Sequence, residues 1–356
     1  MFVALRDIRF AKGRFALMGA VVTLITTLVV FLYGLTGGLS SAASSAVAGL
    51  PVDRIVFAAP TGASPSVSFS NSTVSPAQQA AWAAAPGVRT AAPLGISMTR
   101  LTADGAAASV SVLGAPAALL PPLSSGGAPQ DGQVAVGADT AAAYHLVVGS
   151  QVRVGPSTLT VSGITASRSY AHAPTVWTTP AGWQGVSGQT QPTALALVGG
   201  GAGTGALDAA QNTDTVALGD ATAGIDGYSA EQGSLQMIQG FLFAVSALVV
   251  GAFFTVWTVQ RKPDIAVLKA VGASSAYLVR DALAQAATVL LGGAVLGGAA
   301  GAVGGLIASN GVPFELSLSS VAVPVTAMVL LGLVGAALAV RRITSVDPIA
   351  ALGANR

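Results

Sequence analysis

Charge is the scarcest property of this chain. Only 8% of its 356 residues are Asp, Glu, Lys or Arg, whereas soluble domains carry about 25%. The formal net charge is only +2, and no basic patch with interleaved aromatic residues occurs, which argues against a nucleic-acid-binding protein. With 52% hydrophobic residues, the composition indicates a membrane protein.

Cysteine is absent, and histidine is limited to His145 and His172. The chain therefore has no disulfide, no thiolate nucleophile and no cysteine-ligated metal, and two histidines are too few for a multi-histidine centre. It also lacks a G-x-x-x-x-G-K-[ST] phosphate loop and a G-x-S-x-G nucleophile elbow. We expect a non-catalytic subunit without a metal site or a permanently bound cofactor.

Four long apolar runs cover about 15–35, 238–259, 282–309 and 320–340. Each approaches or exceeds the roughly 20 residues that cross ~30 Å of hydrocarbon. No charged residue lies inside them, which argues against an ion-coupled carrier. The first run continues into Gly/Ser/Ala-rich sequence up to Leu50 without a distinct cleavage site, so we interpret it as a retained span rather than a signal peptide.

The basic residues predict the orientation of these spans. Eleven of the 16 Lys and Arg residues lie beside the runs, in three short segments that a four-span arrangement puts on one side. The positive-inside rule makes that side cytoplasmic. We therefore predict a multi-pass plasma-membrane protein with both termini in the cytoplasm. The region from about 36 to 236, which has five Arg, no Lys and nine acidic residues, then lies outside.

The outer region has the pattern of a folded α+β domain. Alternating or β-branched runs predict strands that start near Asp53, Ala108, Ser150, Thr158 and Thr193. Helices are predicted after the N-cap candidates Ser75 and Asp139. The segments from Pro121 and from Gly199 are predicted to be loops, because both are rich in Gly, Pro or Ser.

The predicted fold class is an α-helical membrane domain of four transmembrane helices plus an α+β extracellular domain inserted between helices 1 and 2. In chain order, the predicted segments are 1–14 cytoplasmic, 15–50 helix 1 with an outward extension, 51–228 extracellular, 229–260 helix 2 with an outward extension, 261–281 cytoplasmic coupling, 282–309 helix 3, 310–319 outer loop, 320–340 helix 4 and 341–356 cytoplasmic tail.

The two outward extensions have separate signals. Ser229 and Gln232 fit a capping box, which predicts a second helix from Ala230 to Gln260. The segment between Thr36 and Leu50 has no proline, so we predict that the first helix continues through it; a flexible Gly/Ser linker is the alternative. The third run contains the pairs Gly293/Gly297 and Gly301/Gly305, a spacing that favours close helix packing.

A short charged segment, RKPDIAVLKAVGAS from Arg261 to Ser274, separates two of the runs. It predicts a short cytoplasmic helix with Ile265, Leu268 and Gly272 on one face, followed by Ser274 or Ser275 as the cap of the next helix. An ordinary loop whose charges fix the topology is the alternative.

The segment resembles the coupling segment of FtsX-like and MacB-type ABC transporter permeases. ALRDIRFAKGRFAL near the start and SVDPIAALGANR at 345–356 resemble the same family. The resemblance implies the permease subunit of an ABC efflux pump, a homodimer driven by two copies of a separate ATPase subunit that binds ATP and Mg. It also implies ATPase contacts at Asp264, Ile265, Leu268, Lys269, Val271 and Gly272. Asp264 departs from the family, which usually has Glu there.

A second resemblance concerns the substrate. SRSYAHAPTVW from Ser167 is similar to the haem-exporter permeases of Gram-positive bacteria, which implies haem as the cargo. Haem iron is held by His, Met, Tyr or Cys, and a carboxylate suits ferric iron that must be released. The resulting candidates for the haem site are Glu231, Met237, Phe241, Tyr33, Tyr170 and His172. Tyr170 and His172 lie two residues apart and would share a face of a strand.

Other functions stay open at this point. Glu231 is equally explained as a carboxylate favoured near a helix N-terminus, and His172 as a surface histidine. The same architecture also serves exporters of a lipid, peptide or antibiotic. It serves, too, mechanotransmitting regulators of an extracellular cell-wall hydrolase, for which we expect an apolar patch that binds the partner.

Overall fold

The computed structural model describes residues 12–59, 62–200, 203–309 and 311–341. The predicted segments before residue 12 and after residue 341 lie outside the described residues. The chain divides into two compact units, Met1–Gly38 with Ser234–Arg356, and Leu39–Gly233. We call the first the membrane unit and the second the inserted domain.

In chain order, the described helices and strands are α1 (Lys12–Ala48), β1 (Arg54–Ala58), α2 (Pro76–Ala83), β2 (Val88–Ala103), β3 (Ala106–Gly114), β4 (Leu123–Gly126), β5 (Gln133–Gly137), α3 (Ala138–Ala143), β6 (Gln151–Val154), β7 (Ser157–Thr165), β8 (Ser169–Tyr170), β9 (Ala173–Thr178), α4 (Pro180–Ser187), β10 (Ala194–Gly199), α5 (Gly205–Gln211), β11 (Thr213–Ala217), α6 (Leu218–Ala221), α7 (Tyr228–Gln260), α8 (Lys262–Ala270), α9 (Ser275–Ala308) and α10 (Leu318–Arg341).

Four of these helices are long and apolar enough to cross a membrane: α1, α7, α9 and α10. The 37 residues of α1 and the 33 of α7 correspond to about 55 and 50 Å of helix at 1.5 Å per residue, well beyond the ~30 Å of a bilayer core. The segment after Thr36 is thus helical rather than a linker, and in the inserted domain its last turns bury Ala46 and Val47 in the core.

The proposed capping box at Ser229 is wrong. Helix α7 already begins at Tyr228, so Ser229 lies inside its first turn. The chain enters the helix through Gly227, whose φ of +79° places it in the left-handed region that glycine tolerates. The amide of Glu231 donates to the Gly227 carbonyl at 3.0 Å. The backbone turn, rather than a side-chain cap, therefore starts this helix.

Glycine permits the close packing of α1 against α9. A Cβ added at Gly293, Gly297 or Gly301 would come within 2.6–2.9 Å of side-chain or backbone atoms of α1, closer than atoms can approach. The hydroxyl of Thr27 also donates to the Gly297 carbonyl at 3.2 Å. The predicted small-residue helix contact is confirmed at these three positions, because only hydrogen fits there. The fourth predicted glycine, Gly305, instead faces the ring of Phe314, which lies between α9 and α10.

The remaining helices of the membrane unit pack around a small apolar cluster. It joins Met18 and Val22 of α1, Val250 and Phe254 of α7, Leu290 of α9 and Ala336 of α10, among other residues. A Cβ at Gly332 would lie 2.5 Å from the Leu290 side chain, and one at Gly335 would lie 3.3 Å from Gly251. Small residues thus determine how closely α10 approaches both α7 and α9.

The inserted domain is built on a mixed sheet. Within the described residues, eleven strands follow the order β11-β1-β10-β2-β3-β9-β5-β7-β4, with β6 paired to β2 and β7 and β8 paired to β9. The pairs β3/β9 and β5/β7 are parallel. The 16-residue strand β2 is the longest; it joins β10 through its first half and β3 through its second. The predicted fold class, four apolar helices and an α+β domain between the first and second, is confirmed.

Large aromatic residues fill the core of the inserted domain. Trp82, Trp177 and Trp183 are all almost completely buried, and each belongs to a different apolar cluster. The side chain of Trp183 lies where side chains at Gly95 and Gly114 would otherwise stand. A Cβ at Gly95 would approach the Trp183 ring to 2.4 Å, and one at Gly114 would approach the Trp183 Cβ to 2.2 Å. Helix α4, which carries Trp183, therefore packs directly on β2 and β3.

Several local predictions for this domain were correct and others were not. Strands occur at all five predicted places, and Ser75 caps α2 in a capping box with Gln78. Helix α3 instead has Gly137 at its N-cap position, and Asp139 lies in its first turn, where its amide donates to the Ser167 hydroxyl at 3.0 Å. The predicted loop from Pro121 contains β4. Of the predicted loop from Gly199, residues 201 and 202 lie outside the described residues.

Candidate functional site

The charged segment of the membrane unit forms helix α8, and its boundaries are set by backbone contacts. Arg261 lies between α7 and α8 and is bonded to both. Its amide donates to the Trp257 carbonyl at 3.3 Å, and its carbonyl accepts from the Ile265 amide at 3.0 Å. Beyond Ala270 the chain turns through Gly272, which has a φ of +102°. Ser274 then caps α9 by accepting from the Tyr277 amide at 3.2 Å, as predicted.

The residues predicted to contact an ATPase have different environments on this segment. Val271 is 83% exposed and Leu268 is 40% exposed, whereas Ile265 and Lys269 are half-buried and line a cavity of about 30 Å³ with Leu278 and other residues. The side chain of Asp264 lies outside the described residues.

The predicted common face of Ile265, Leu268 and Gly272 is wrong at Gly272. The helix ends at Ala270, so Gly272 lies in the turn that follows it. The 3.6-residue period that placed it on a helical face no longer applies there.

A chain of polar contacts joins the junction of α7 and α8 to α9. The guanidinium group of Arg261 lies over the Trp257 ring, 5.1 Å from its centroid, and donates to Oε1 of Gln285 at 2.7 Å. Nε2 of Gln285 donates to Oδ2 of Asp281 at 2.8 Å. Gln285 could not be found from the sequence, because a single amide in an apolar run gives no sign of its partner.

In the inserted domain, two of the predicted haem-site residues meet. Nε2 of His172 lies 2.9 Å from Oε2 of Glu231, with 45% and 30% of the respective side chains exposed. His172 occupies the turn between β8 and β9, and Glu231 lies in the first turn of α7. The two residues are 59 positions apart in sequence, so only the fold brings them together.

The turn that carries His172 is held against the end of α1. The amides of Ala171 and His172 donate to the carbonyls of Ala43 and Ala42 at 2.8 and 3.1 Å. Both residues have positive φ, 49° and 62°, an uncommon backbone conformation for residues other than glycine. The hydroxyls of Ser40 and Tyr228 are also 3.0 Å apart. The beginning of α7, the end of α1 and the β8–β9 turn thus converge on one place.

The predicted common strand face of Tyr170 and His172 is wrong. Strand β8 ends at Tyr170, and the following left-handed residues turn His172 away from the strand. The Tyr170 side chain is buried and lies edge-on to Phe69, 5.9 Å between ring centroids. Burial and the nearby charge of Asp226 raise the pKa of Tyr170 well above its ordinary value. A phenol in this position is poorly suited to coordinate iron.

The other three candidates belong to the membrane unit. Met237 and Phe241 of α7 are 64% and 66% exposed, and Tyr33 of α1 is half-buried. Among the residues that the structure describes, no group of three or more His, Asp or Glu side chains could hold a metal ion. The arrangement therefore offers one imidazole and one carboxylate side by side, which can supply an axial ligand but cannot enclose a free metal ion.

Comparisons with known proteins agree with this architecture. The family described as FtsX-like permease C-terminal matches residues 237–348, which include α8 and most of α7. An uncharacterized ABC transporter permease of Mycobacterium tuberculosis (strain ATCC 25618 / H37Rv) is 30% identical over 369 residues, 99% of this chain and 99% of the relative. The chain belongs to the ABC transporter permeases. Membership of this family implies a separate ATPase subunit as a partner.

Two further similarities cover less of this ABC transporter permease. HrtB of Staphylococcus haemolyticus (strain JCSC1435), which is named for a hemin transport system, is 34% identical over 132 residues, which is 37% of this chain and 38% of HrtB. The crystal structure of the periplasmic region of MacB from Actinobacillus actinomycetemcomitans covers 48% of this chain and 91% of that chain, with 9% identity and a TM-score of 0.38.

Proposed function

We propose that this ABC transporter permease exports haem from the membrane as the dimeric transmembrane subunit of an efflux pump. Both termini and α8 lie in the cytoplasm, where two copies of a separate ATPase contact α8. The inserted domain lies outside the cell. The segregation of basic residues supports this orientation, and the exposed side chains of Leu268 and Val271 support α8 as the docking element.

The observation that carries the haem proposal is the contact between His172 and Glu231. Imidazole is a common haem ligand, a carboxylate oxygen can also bind iron, and both side chains are accessible enough to reach a ligand. A haem that approached this place would exchange the His172–Glu231 hydrogen bond for an iron–ligand bond. The partial similarity to HrtB, a permease named for hemin transport, supports the same cargo.

A different observation favours recognition of an extracellular peptide or protein as the second candidate. The inserted domain contains a cavity of about 480 Å³ lined by both apolar and polar residues, among them Phe69, Met98, Gln189 and Asp226. A cavity with both kinds of lining suits a peptide, which presents apolar side chains and polar backbone groups together.

Haem titration of the purified permease with its ATPase tests the primary proposal. We expect a Soret shift that saturates at a fixed ratio of haem to permease, and a changed rate of ATP hydrolysis. Glu231→Gln should weaken haem binding at least about tenfold, because it removes the carboxylate. His172→Ala should change the spectrum or the affinity of the same site.

The chain offers matched controls for both substitutions. Glu315→Gln removes the carboxylate of the other glutamate, and His145→Ala removes the other histidine; both variants should bind haem as the unsubstituted chain does. Equal haem affinity in Glu231→Gln and Glu315→Gln would remove Glu231 from the site. A titration without any shift would reject haem and leave the peptide-binding alternative.

A further inference from the structure

The polar chain from Arg261 through Gln285 to Asp281 connects the end of α7, the beginning of α8 and the body of α9. We propose that Gln285 is a positioning residue that transmits movement of α8 to the membrane helices. This inference rests on the proposed contact of α8 with the ATPase. It assigns the transmission to one buried amide rather than to α8 alone.

Arg261 is the residue through which α8 can move its neighbours. Its amide is bonded to α7 and its carbonyl to α8, so it has little freedom relative to either helix. Its side chain then reaches α9 at Gln285, while the Trp257 ring of α7 holds the guanidinium group from another direction. Displacement of α8 therefore moves Arg261, and through it α7 and α9 together.

Gln285 is suited to this position by its chemistry. The side chain is completely buried, and within a membrane span a buried polar group needs partners. Arginine only donates hydrogen bonds and a carboxylate without a proton only accepts them, so Oε1 must face Arg261 and Nε2 must face Asp281. An amide satisfies both neighbours, whereas an apolar residue satisfies neither.

The side chains between α8 and its neighbouring helices are closely packed. Between α8, the end of α7 and the start of α9, the cavity lined by Ile265, Leu278 and Arg261 measures only about 30 Å³. The C-terminal end of α8 is tied as well, because the Ala273 amide donates to the Leu268 carbonyl at 2.9 Å. Movement of α8 toward α9 therefore meets packed side chains at once, whereas its exposed face is open to a partner.

A charge exchange distinguishes transmission through Gln285 from simple packing. Gln285→Glu keeps an acceptor for Arg261 but places a second carboxylate against Asp281, where the two repel. Asp281→Asn alone keeps an acceptor for the Gln285 amide. In the double variant Gln285→Glu/Asp281→Asn, the amide introduced at position 281 donates to the carboxylate introduced at position 285. This restores the chain of contacts, and Arg261 still donates to position 285.

The measurement uses the full chain with its ATPase in nanodiscs. The chain has no cysteine, so Gln236→Cys introduces a single nitroxide site at an exposed position of α7. ATP with vanadate should change the nitroxide mobility in the otherwise unsubstituted chain. Gln285→Glu should reduce that change about tenfold, within the range found for substitutions along coupling networks, while the ATPase still co-purifies. The double variant should recover most of it.

Other outcomes have definite meanings. The proposal is overturned if Gln285→Glu leaves the ATP-driven change in nitroxide mobility undiminished. It is also overturned if Gln285→Glu loses as much of this change with Asp281→Asn as without it, since packing alone would then explain the role of Gln285. No ATP-driven change in the unsubstituted chain, with the ATPase bound, would overturn it as well. Leu268→Asp serves as the contrasting variant and should lose the ATPase itself. None of these readouts uses haem, so failure of the haem proposal leaves them interpretable.

Discussion

The membrane unit and the inserted domain are each stabilised internally by a different kind of residue. In the membrane unit, Gly293, Gly297 and Gly301 bring α9 so close to α1 that no side chain fits between them. In the inserted domain, the same task falls to large rings, above all Trp82, Trp177 and Trp183. The membrane unit depends on positions without a side chain, and the inserted domain depends on large buried side chains.

The solvent explains this difference. In water, burying apolar surface contributes about 25 cal/mol per Å², so the inserted domain gains most from its largest side chains. In a bilayer the surrounding lipid is as apolar as leucine, and helices associate through close van der Waals contact and hydrogen bonds. The bond from Thr27 to the Gly297 carbonyl is a contact that only such a close approach allows. A residue's size therefore has opposite effects on stability in the two units.

The largest effect is expected from Gly297→Leu. A Cβ there would already lie 2.6 Å from the Thr23 carbonyl oxygen and the Thr26 side chain, so α1 and α9 must separate. We expect almost no monodisperse protein from detergent extraction, as judged by size-exclusion chromatography.

The same substitution at Gly292 is the control for this experiment. A Cβ at Gly292 meets nothing within 4 Å, so Gly292→Leu should give a normal yield. If Gly297→Leu is recovered equally well, glycine contacts do not hold the membrane unit together.

A smaller effect is expected from Trp183→Ala in the inserted domain. Removing a buried tryptophan ring typically costs about 3–5 kcal/mol, and Nε1 of Trp183 also loses its bond to the Ser97 hydroxyl. When thermal unfolding of the full chain is monitored by the proteolysis of the inserted domain, the midpoint of this variant should be clearly lower. Val148→Ala, at an exposed position, should shift it little. An unchanged midpoint in Trp183→Ala would contradict the view that buried rings stabilise this unit.

The smallest effect is expected at Tyr170 and depends on pH. Its pKa is raised in the folded protein because the ring is buried and Asp226 is near, whereas an unfolded tyrosine ionises near pH 10. Its contribution to stability is therefore complete below about pH 10 and is lost as the pH rises further. Tyr170→Phe should change stability by less than ~1 kcal/mol at pH 7 and make unfolding less sensitive to pH above 10. Identical alkaline sensitivity in both proteins would show that Tyr170 does not titrate differently on folding.

Patterns confined to a few neighbouring residues could be read correctly from the sequence. Local periodicity or local hydrogen bonds specify the four apolar helices, the short helix α8, the caps Ser75 and Ser274 and the five predicted strands. The missed elements lacked such signals. Strand β2 contains Pro93 and Gly95, which locally disfavour a strand, and it is stabilised by its neighbours β10 and β3.

The candidate sites divide in the same way. Glu231 and His172 could be nominated one by one, but their 2.9 Å contact depends on a backbone turn that the strand pattern did not reveal. The assignment of Tyr170 failed for the complementary reason, because burial in a core is decided by distant residues such as Phe69. The haem and coupling assignments stay predictions that the experiments above test, and the dimer stays a prediction as well.

By itself, the sequence determined what each segment prefers as its surroundings: apolar runs prefer lipid, basic flanks prefer water beside the bilayer, and alternating segments prefer a sheet. These preferences are properties of composition and short spacing, and they persist whatever the rest of the chain does. Only the tertiary structure decided which groups meet: Arg261 with Gln285, His172 with Glu231, and Gly297 with α1. Such contacts join residues far apart in sequence, and they exist only where the packing of whole helices and strands brings their atoms within a few ångströms.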